Sequence, residues 1–160
     1  MFEIGTYMQS SKLFDRNLLK KFYSALYYLI AVVLLFTGAT KIVDPLPLLE
    51  TLKIIPIVPE DLVVPVATLL PVLEVGLGLL MVLKILPKVT LIAVTLLFFV
   101  FFLFSIYGIF FGLNADCGCF GNAIKSDFGW GMILRNTLLL LITIYISYFM
   151  VKSNKNERNL

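Results

Sequence analysis

Four apolar runs, at about 22–40, 62–83, 89–111 and 131–151, alternate with short polar stretches along this chain. Each run is about 19–23 residues long. A helix rising about 1.5 Å per residue needs about that length to cross roughly 30 Å of hydrocarbon, so each run is predicted to be a transmembrane helix. Thr37-Gly38-Ala39 resembles the cleavage site of a signal peptide. The first run, however, exceeds the roughly 7–15 residues of a signal core, and it is read as an uncleaved span. Between the first two runs, 41–61 carries Pro45, Pro47, Pro56 and Pro59 around Leu48-Leu49-Glu50-Thr51-Leu52-Lys53. Proline suits a first helical turn and breaks an interior, which predicts a short interfacial helix and not a fifth span. Lys84-Ile85-Leu86-Pro87-Lys88 reads as a tight turn. The predicted fold class is all-α: an integral membrane four-helix bundle, with a short interfacial helix after the first span. A Cys-Gly-Cys loop joins spans three and four. The corresponding segments are an N-terminal segment at 1–21, the membrane domain at 22–151 and a tail at 152–160.

Composition supports this reading. The chain is 60% hydrophobic and 14% charged, with a mean hydropathy of +0.99. Ordinary soluble domains hold about 45–50% apolar and about 25% charged residues. No stretch remains for a second, soluble domain. The net charge of +3 is spread in short runs between apolar segments, which argues against nucleic acid and serves better as a topology signal. Lys12, Arg16, Lys20, Lys21, Lys84, Lys88, Lys152, Lys155 and Arg158 fall on one side, against Lys41, Lys53, Lys125 and Arg135 on the other. The excess of basic residues marks the cytoplasmic side. Both termini are therefore expected in the cytoplasm and the Cys-Gly-Cys loop outside the inner membrane, where a disulfide persists. The chain has no histidine, which removes the usual general base and the commonest metal ligand. Two cysteines cannot close a four-ligand zinc site, and no metal is assigned.

The candidate chemistry centres on Asp116-Cys117-Gly118-Cys119-Phe120-Gly121, which holds both cysteines. Glycine between them permits unusual backbone angles, and residues this close can come within disulfide range. Such a ring is a poor staple, because it closes almost no chain. Strained, exposed disulfides tend to be the labile or catalytic ones. Cys117 and Cys119 are read as a dithiol carrier, set against two unpaired reduced cysteines in a tight turn.

Within the spans, Glu74 is the one acid deep in an apolar run. A carboxylate there is costly, should face the bundle and needs a partner. Ala67, Pro71, Glu74 and Gly78 share a helical face, as do Ala31, Leu34, Gly38 and Lys41 on the first span. Small residues on such faces admit a close neighbour. Counting depth from the start of each helix makes Arg135–Glu74 the preferred pair and Lys41–Glu74 the next. The pair is either a proton relay or polar site for a quinone or partner, or an ion pair that fixes helix register. Phe98, Phe99, Phe101, Phe102 and Phe104 read as packing or lipid-facing residues. Tyr23, Tyr27, Tyr28, Tyr145, Tyr148 and Trp130 read as interfacial aromatics.

The Asp-Cys-Gly-Cys-Phe-Gly motif with Gly129-Trp130 and Arg135-Asn136 resembles the MauE family of membrane proteins. Gly38, Lys41, Asp44 and Pro45, with Ala67, Pro71, Glu74, Gly76 and Gly78, are similar to the wider DoxX-like superfamily. The resemblance runs from about 25 to 150. It implies a redox-associated four-helix protein of the inner membrane, linked to maturation of methylamine dehydrogenase, whose small subunit needs many disulfides. It also implies a thioredoxin-like periplasmic partner, with Cys117 and Cys119 as the redox pair and Lys41, Glu74 and Arg135 as the superfamily's polar positions.

The leading functional expectation is a thiol–disulfide oxidoreductase supporting disulfide formation in an extracytoplasmic client. With one cysteine pair, its electrons must pass to a bound quinone or to another protein, and another protein is favoured. No cofactor is required on this reading. The rival expectations are a non-catalytic accessory subunit of a larger membrane complex and, third, a small transporter using Glu74 and Arg135.

Overall fold

The computed structural model describes residues 3–56, 58–111 and 130–157, with side chains described between 21 and 150 of these ranges. Among the described residues there are five helices: α1 (Glu3–Val43), α2 (Leu46–Ile54), α3 (Glu60–Val82), α4 (Pro87–Phe110) and α5 (Trp130–Glu157). Four of them are long and apolar enough to cross a membrane, over Lys21–Val43, Glu60–Val82, Pro87–Phe110 and Trp130–Met150. The protein is an all-α integral membrane bundle. In lipid, a helix satisfies its backbone groups internally, which is why apolar sequence of this length settles as helix. Helix α1 begins at Glu3, so the basic N-terminal segment continues the first span without a break, and α5 likewise runs on to Glu157.

The spans form a ring. Helix α1 packs most closely on α3 and α4 on α5, while α1–α5 and α3–α4 contacts close the circle. Register in the first pair follows from small residues and one hydrogen bond. A Cβ added at Gly38 would lie 2.9 Å from the Pro71 carbonyl, and one at Gly78 would lie 2.8 Å from Leu35. Below them the Tyr27 hydroxyl donates to the Met81 carbonyl at 3.2 Å. The expected faces are the ones used: Ala67, Pro71, Glu74 and Gly78 are buried, as are Ala31, Leu34, Gly38 and Lys41. In the second pair, Phe98, Val94 and Leu91 of α4 share a core with Ile146 of α5 and with Ile30, Ala31 and Leu34 of α1.

The short helix α2 occupies the place predicted for it, with Pro47 in its first turn. Its Leu48 and Leu52 pack on Val63 and Ala67 of α3. Since α1 stops at Val43 while Gly38 is level with Pro71, α3 continues past the end of α1, and α2 covers that extension. The turn between α3 and α4 is tight enough to put Lys84 and Leu86 in the left-handed region, at φ 55° and 46°. Among the described residues, buried hydroxyls do not go unpaired. Thr51, Thr90, Ser105 and Thr143 donate to carbonyls three to five residues earlier, at 2.7 to 2.9 Å.

Candidate functional site

All four spans contribute to a polar cluster inside the bundle. Lys41, in the last turn of α1, is 2% exposed, and Glu74, in the middle of α3, is 0% exposed. The Lys41 Nζ donates a hydrogen bond to Glu74 Oε1, forming a buried ion pair. The ammonium also sits over the Phe101 ring of α4, 5.1 Å from its centroid. Desolvating either charge alone in an apolar interior would be expensive, so each stabilises the other's burial. The second carboxylate oxygen, Oε2, has no hydrogen-bond partner among the described residues.

From α5, Asn136 reaches across to α4. Its side-chain amide donates to the Phe101 carbonyl at 3.2 Å and to the Ser105 hydroxyl. Asn136 is itself 3% exposed, so this clamp is an interior one. Beside it lies a cavity of about 20 Å³, lined by Val33, Thr37 and Lys41 of α1, Phe98 and Phe101 of α4, and Arg135, Asn136 and Leu139 of α5. That is room for about one water molecule. The arrangement places two cationic side chains, an amide and a hydroxyl around one small space. Such a space can hold a hydrogen-bond acceptor.

The ion pair corrects one expectation. Glu74 is bonded to Lys41, the second choice, and not to Arg135, the preferred one. Depth counted along each helix from its own start misses the offset between the helices. Helix α3 begins well before the level at which α1 ends, so Lys41, two residues from the end of α1, still meets Glu74. Lys41 was also expected to open a loop, yet α1 runs on to Val43 and holds the side chain inside. Arg135 nonetheless lines the cavity next to this pair, so Lys41, Glu74 and Arg135 do gather in one region.

Cys117 and Cys119, with Asp116 and Lys125, lie outside the described residues. Trp130 opens α5 and is 82% exposed, as an interfacial anchor would be. In the sequence, Asn136 is marked only by the Arg135-Asn136 piece of the family resemblance, Thr37 only as part of Thr37-Gly38-Ala39, and Ser105 not at all, because one hydroxyl in an apolar run carries no pattern. The sequence marks Phe101 for packing, whereas its ring lies against the Lys41 ammonium.

A family model described as methylamine utilisation protein MauE matches residues 19–149. The chain belongs to the MauE family. The matched range takes in the first three spans, the fourth short of its last residue, the Lys41–Glu74 pair and the Cys-Gly-Cys motif. No curated protein and no solved structure matches the chain. The cluster inside this MauE-family bundle is therefore read on its own geometry.

Proposed function

We propose that this MauE-family protein is a membrane-embedded thiol–disulfide redox protein that supports disulfide formation in an extracytoplasmic partner. One observation carries the reading: the only two cysteines of the chain stand as Cys117-Gly118-Cys119 within the range matched by the family. The charge distribution supports placing that motif outside the inner membrane with both termini in the cytoplasm. The family's description, methylamine utilisation, is consistent with service to a disulfide-rich client. The client itself, or a thioredoxin-like intermediary, is the expected partner.

The chemistry is exchange. A partner thiolate attacks one sulfur of a Cys117–Cys119 disulfide, and that S–S bond breaks as a mixed disulfide forms. A second partner thiolate then attacks the mixed disulfide. The partner leaves oxidised, and Cys117 and Cys119 are left as a dithiol carrying the two electrons and, once protonated, two protons.

Differential thiol trapping in intact cells tests this, with wild type beside Cys117→Ser and Cys119→Ser. The expected result is a reversible disulfide in wild type and a mixed disulfide to a second protein in one variant. Permanently reduced thiols, no trapped partner and full function in both variants would instead establish a non-catalytic accessory subunit.

A further inference from the structure

We propose that the end of the bundle where the span of α1 begins binds the headgroups of anionic phospholipids, through lysines that three segments of the chain bring to one depth. The inference stands apart from the redox reading above and needs neither the cysteine motif nor the polar cluster.

The topology gathers the lysines. The Tyr27 hydroxyl of α1 bonds to the Met81 carbonyl of α3, and the Tyr23 ring of α1 lies 5.1 Å from the Phe149 ring of α5. The start of the α1 span, the α3–α4 turn and the end of the α5 span are therefore level. Lys21 and Lys20 stand two and three residues outward of Tyr23 along α1. Lys152 stands three residues outward of Phe149 along α5, and Lys84 three residues past Met81. Each lies within about one helical turn, roughly 5.4 Å, of the level those contacts define. Lys88 follows Lys84 across the turn, in the first turn of α4.

Charge and depth then set the class of ligand. The three segments, 17–28, 75–92 and 143–154, contain these five lysines and no aspartate or glutamate. Lys21, Lys84 and Lys88 are exposed. The opposite end differs: among the described residues, Asp44, Glu50, Glu60 and Asp61 stand there against Lys53. Tyr28, Tyr145 and Tyr148 are part-exposed at the lysine end, an aromatic girdle of the kind that sits at headgroup level. The Lys84 ammonium lies 5.6 Å from the centroid of the Tyr28 ring, which holds one of the cations at that depth. An excess of lysine on one side is enough to orient a membrane protein. A layer of cations at headgroup depth with no carboxylate among them is also complementary to lipid phosphate. Each lysine near an anionic surface is worth about fivefold in affinity. The phosphate diester of a bilayer lipid reaches this layer by lateral diffusion, with its acyl chains against the apolar faces of the spans.

The test uses the full chain in neutral detergent micelles, titrated with phosphatidylglycerol or with phosphatidylcholine of the same acyl chains, and reads bound lipid by native mass spectrometry. Wild type is expected to bind phosphatidylglycerol at least about fivefold more tightly. Lys21→Gln and Lys88→Gln should each remove about fivefold of that preference and leave phosphatidylcholine binding unchanged. Both side chains are exposed, so both variants should melt like wild type without anionic lipid. Lys53→Gln, at the opposite end, should leave the preference as it is. Equal binding of the two lipids by wild type overturns the proposal and leaves the lysines a role in orientation alone. A preference untouched by Lys21→Gln and Lys88→Gln also overturns it, as does one abolished by Lys53→Gln. Displacement of phosphatidylglycerol by millimolar inorganic phosphate would overturn it in favour of a site for the free ion.

Discussion

The α1–α3 pair and the α4–α5 pair hold together by different means. Lipid is as apolar as leucine, so helix association in a membrane depends on close packing and on interhelical polar contacts. The α1–α3 seam uses both at once: Gly38 and Gly78 bring the backbones together, and Lys41–Glu74 joins them in the same stretch. The α4–α5 seam has bulky side chains in its core, Leu91, Val94, Phe98 and Ile146, and the Asn136 clamp onto the Phe101 carbonyl and Ser105. The first seam is specified by what is small and charged. The second tolerates more variation, because volume can be redistributed among large side chains whereas a backbone contact cannot be moved.

The sharpest way to break this contrast is at the ion pair. Glu74→Ala leaves the Lys41 ammonium buried without its carboxylate and should cost about 3–5 kcal/mol of stability. The double variant Lys41→Met, Glu74→Met should recover much of that loss, because no lone charge remains. Unfolding in mixed micelles, run as a double-mutant cycle, reads both numbers. A double variant as unstable as Glu74→Ala would mean that neighbouring groups, and not the pair, dominate.

Gly38→Ala comes next. Its new Cβ would lie 2.7 Å from Val75 and 2.9 Å from the Pro71 carbonyl. The valine can shift but the backbone cannot, so about 1–3 kcal/mol is expected, visible in the same unfolding assay. Asn136→Leu should cost less, about 0.6 kcal/mol and at most about 1.7 kcal/mol, the average and the maximum for interhelical hydrogen bonds in membranes. It should also loosen α4 against α5, measurable as faster amide exchange around Ser105. The smallest effect belongs to Gly76→Ala, where a new Cβ meets nothing within 4 Å. A change within about 0.5 kcal/mol is expected, and a large loss there would show that the exposed face of α3 is covered by another protein. Gly76 and Gly38 differ by little in sequence and should differ greatly in effect.

The candidate site was legible to an uneven degree. Glu74 and its face stood out because an acid in an apolar run is rare and its neighbours repeat at helical spacing. Cys117 and Cys119 stood out by type and spacing. The partner of Glu74 did not, since Lys41 sits at the margin of an apolar run where a lysine usually marks the water boundary. Asn136 was marked only as part of the Arg135-Asn136 motif and Ser105 by nothing, because one polar residue on a helix does not say which neighbour faces it.

Local physics explains what sequence alone determined: four spans, the short helix between prolines, the buried faces of α1 and α3, and membership of a membrane class. Each depends on a run of residues long enough, or a period regular enough, to be read along one helix. Tertiary structure decided how the helices slide past one another. That offset brings Lys41 level with Glu74, sets Phe101 beneath the ammonium and gathers Arg135 and Asn136 around one small cavity. It depends on where two separate backbones make closest approach, at Gly38 and Gly78, and no pattern within a single helix encodes that height.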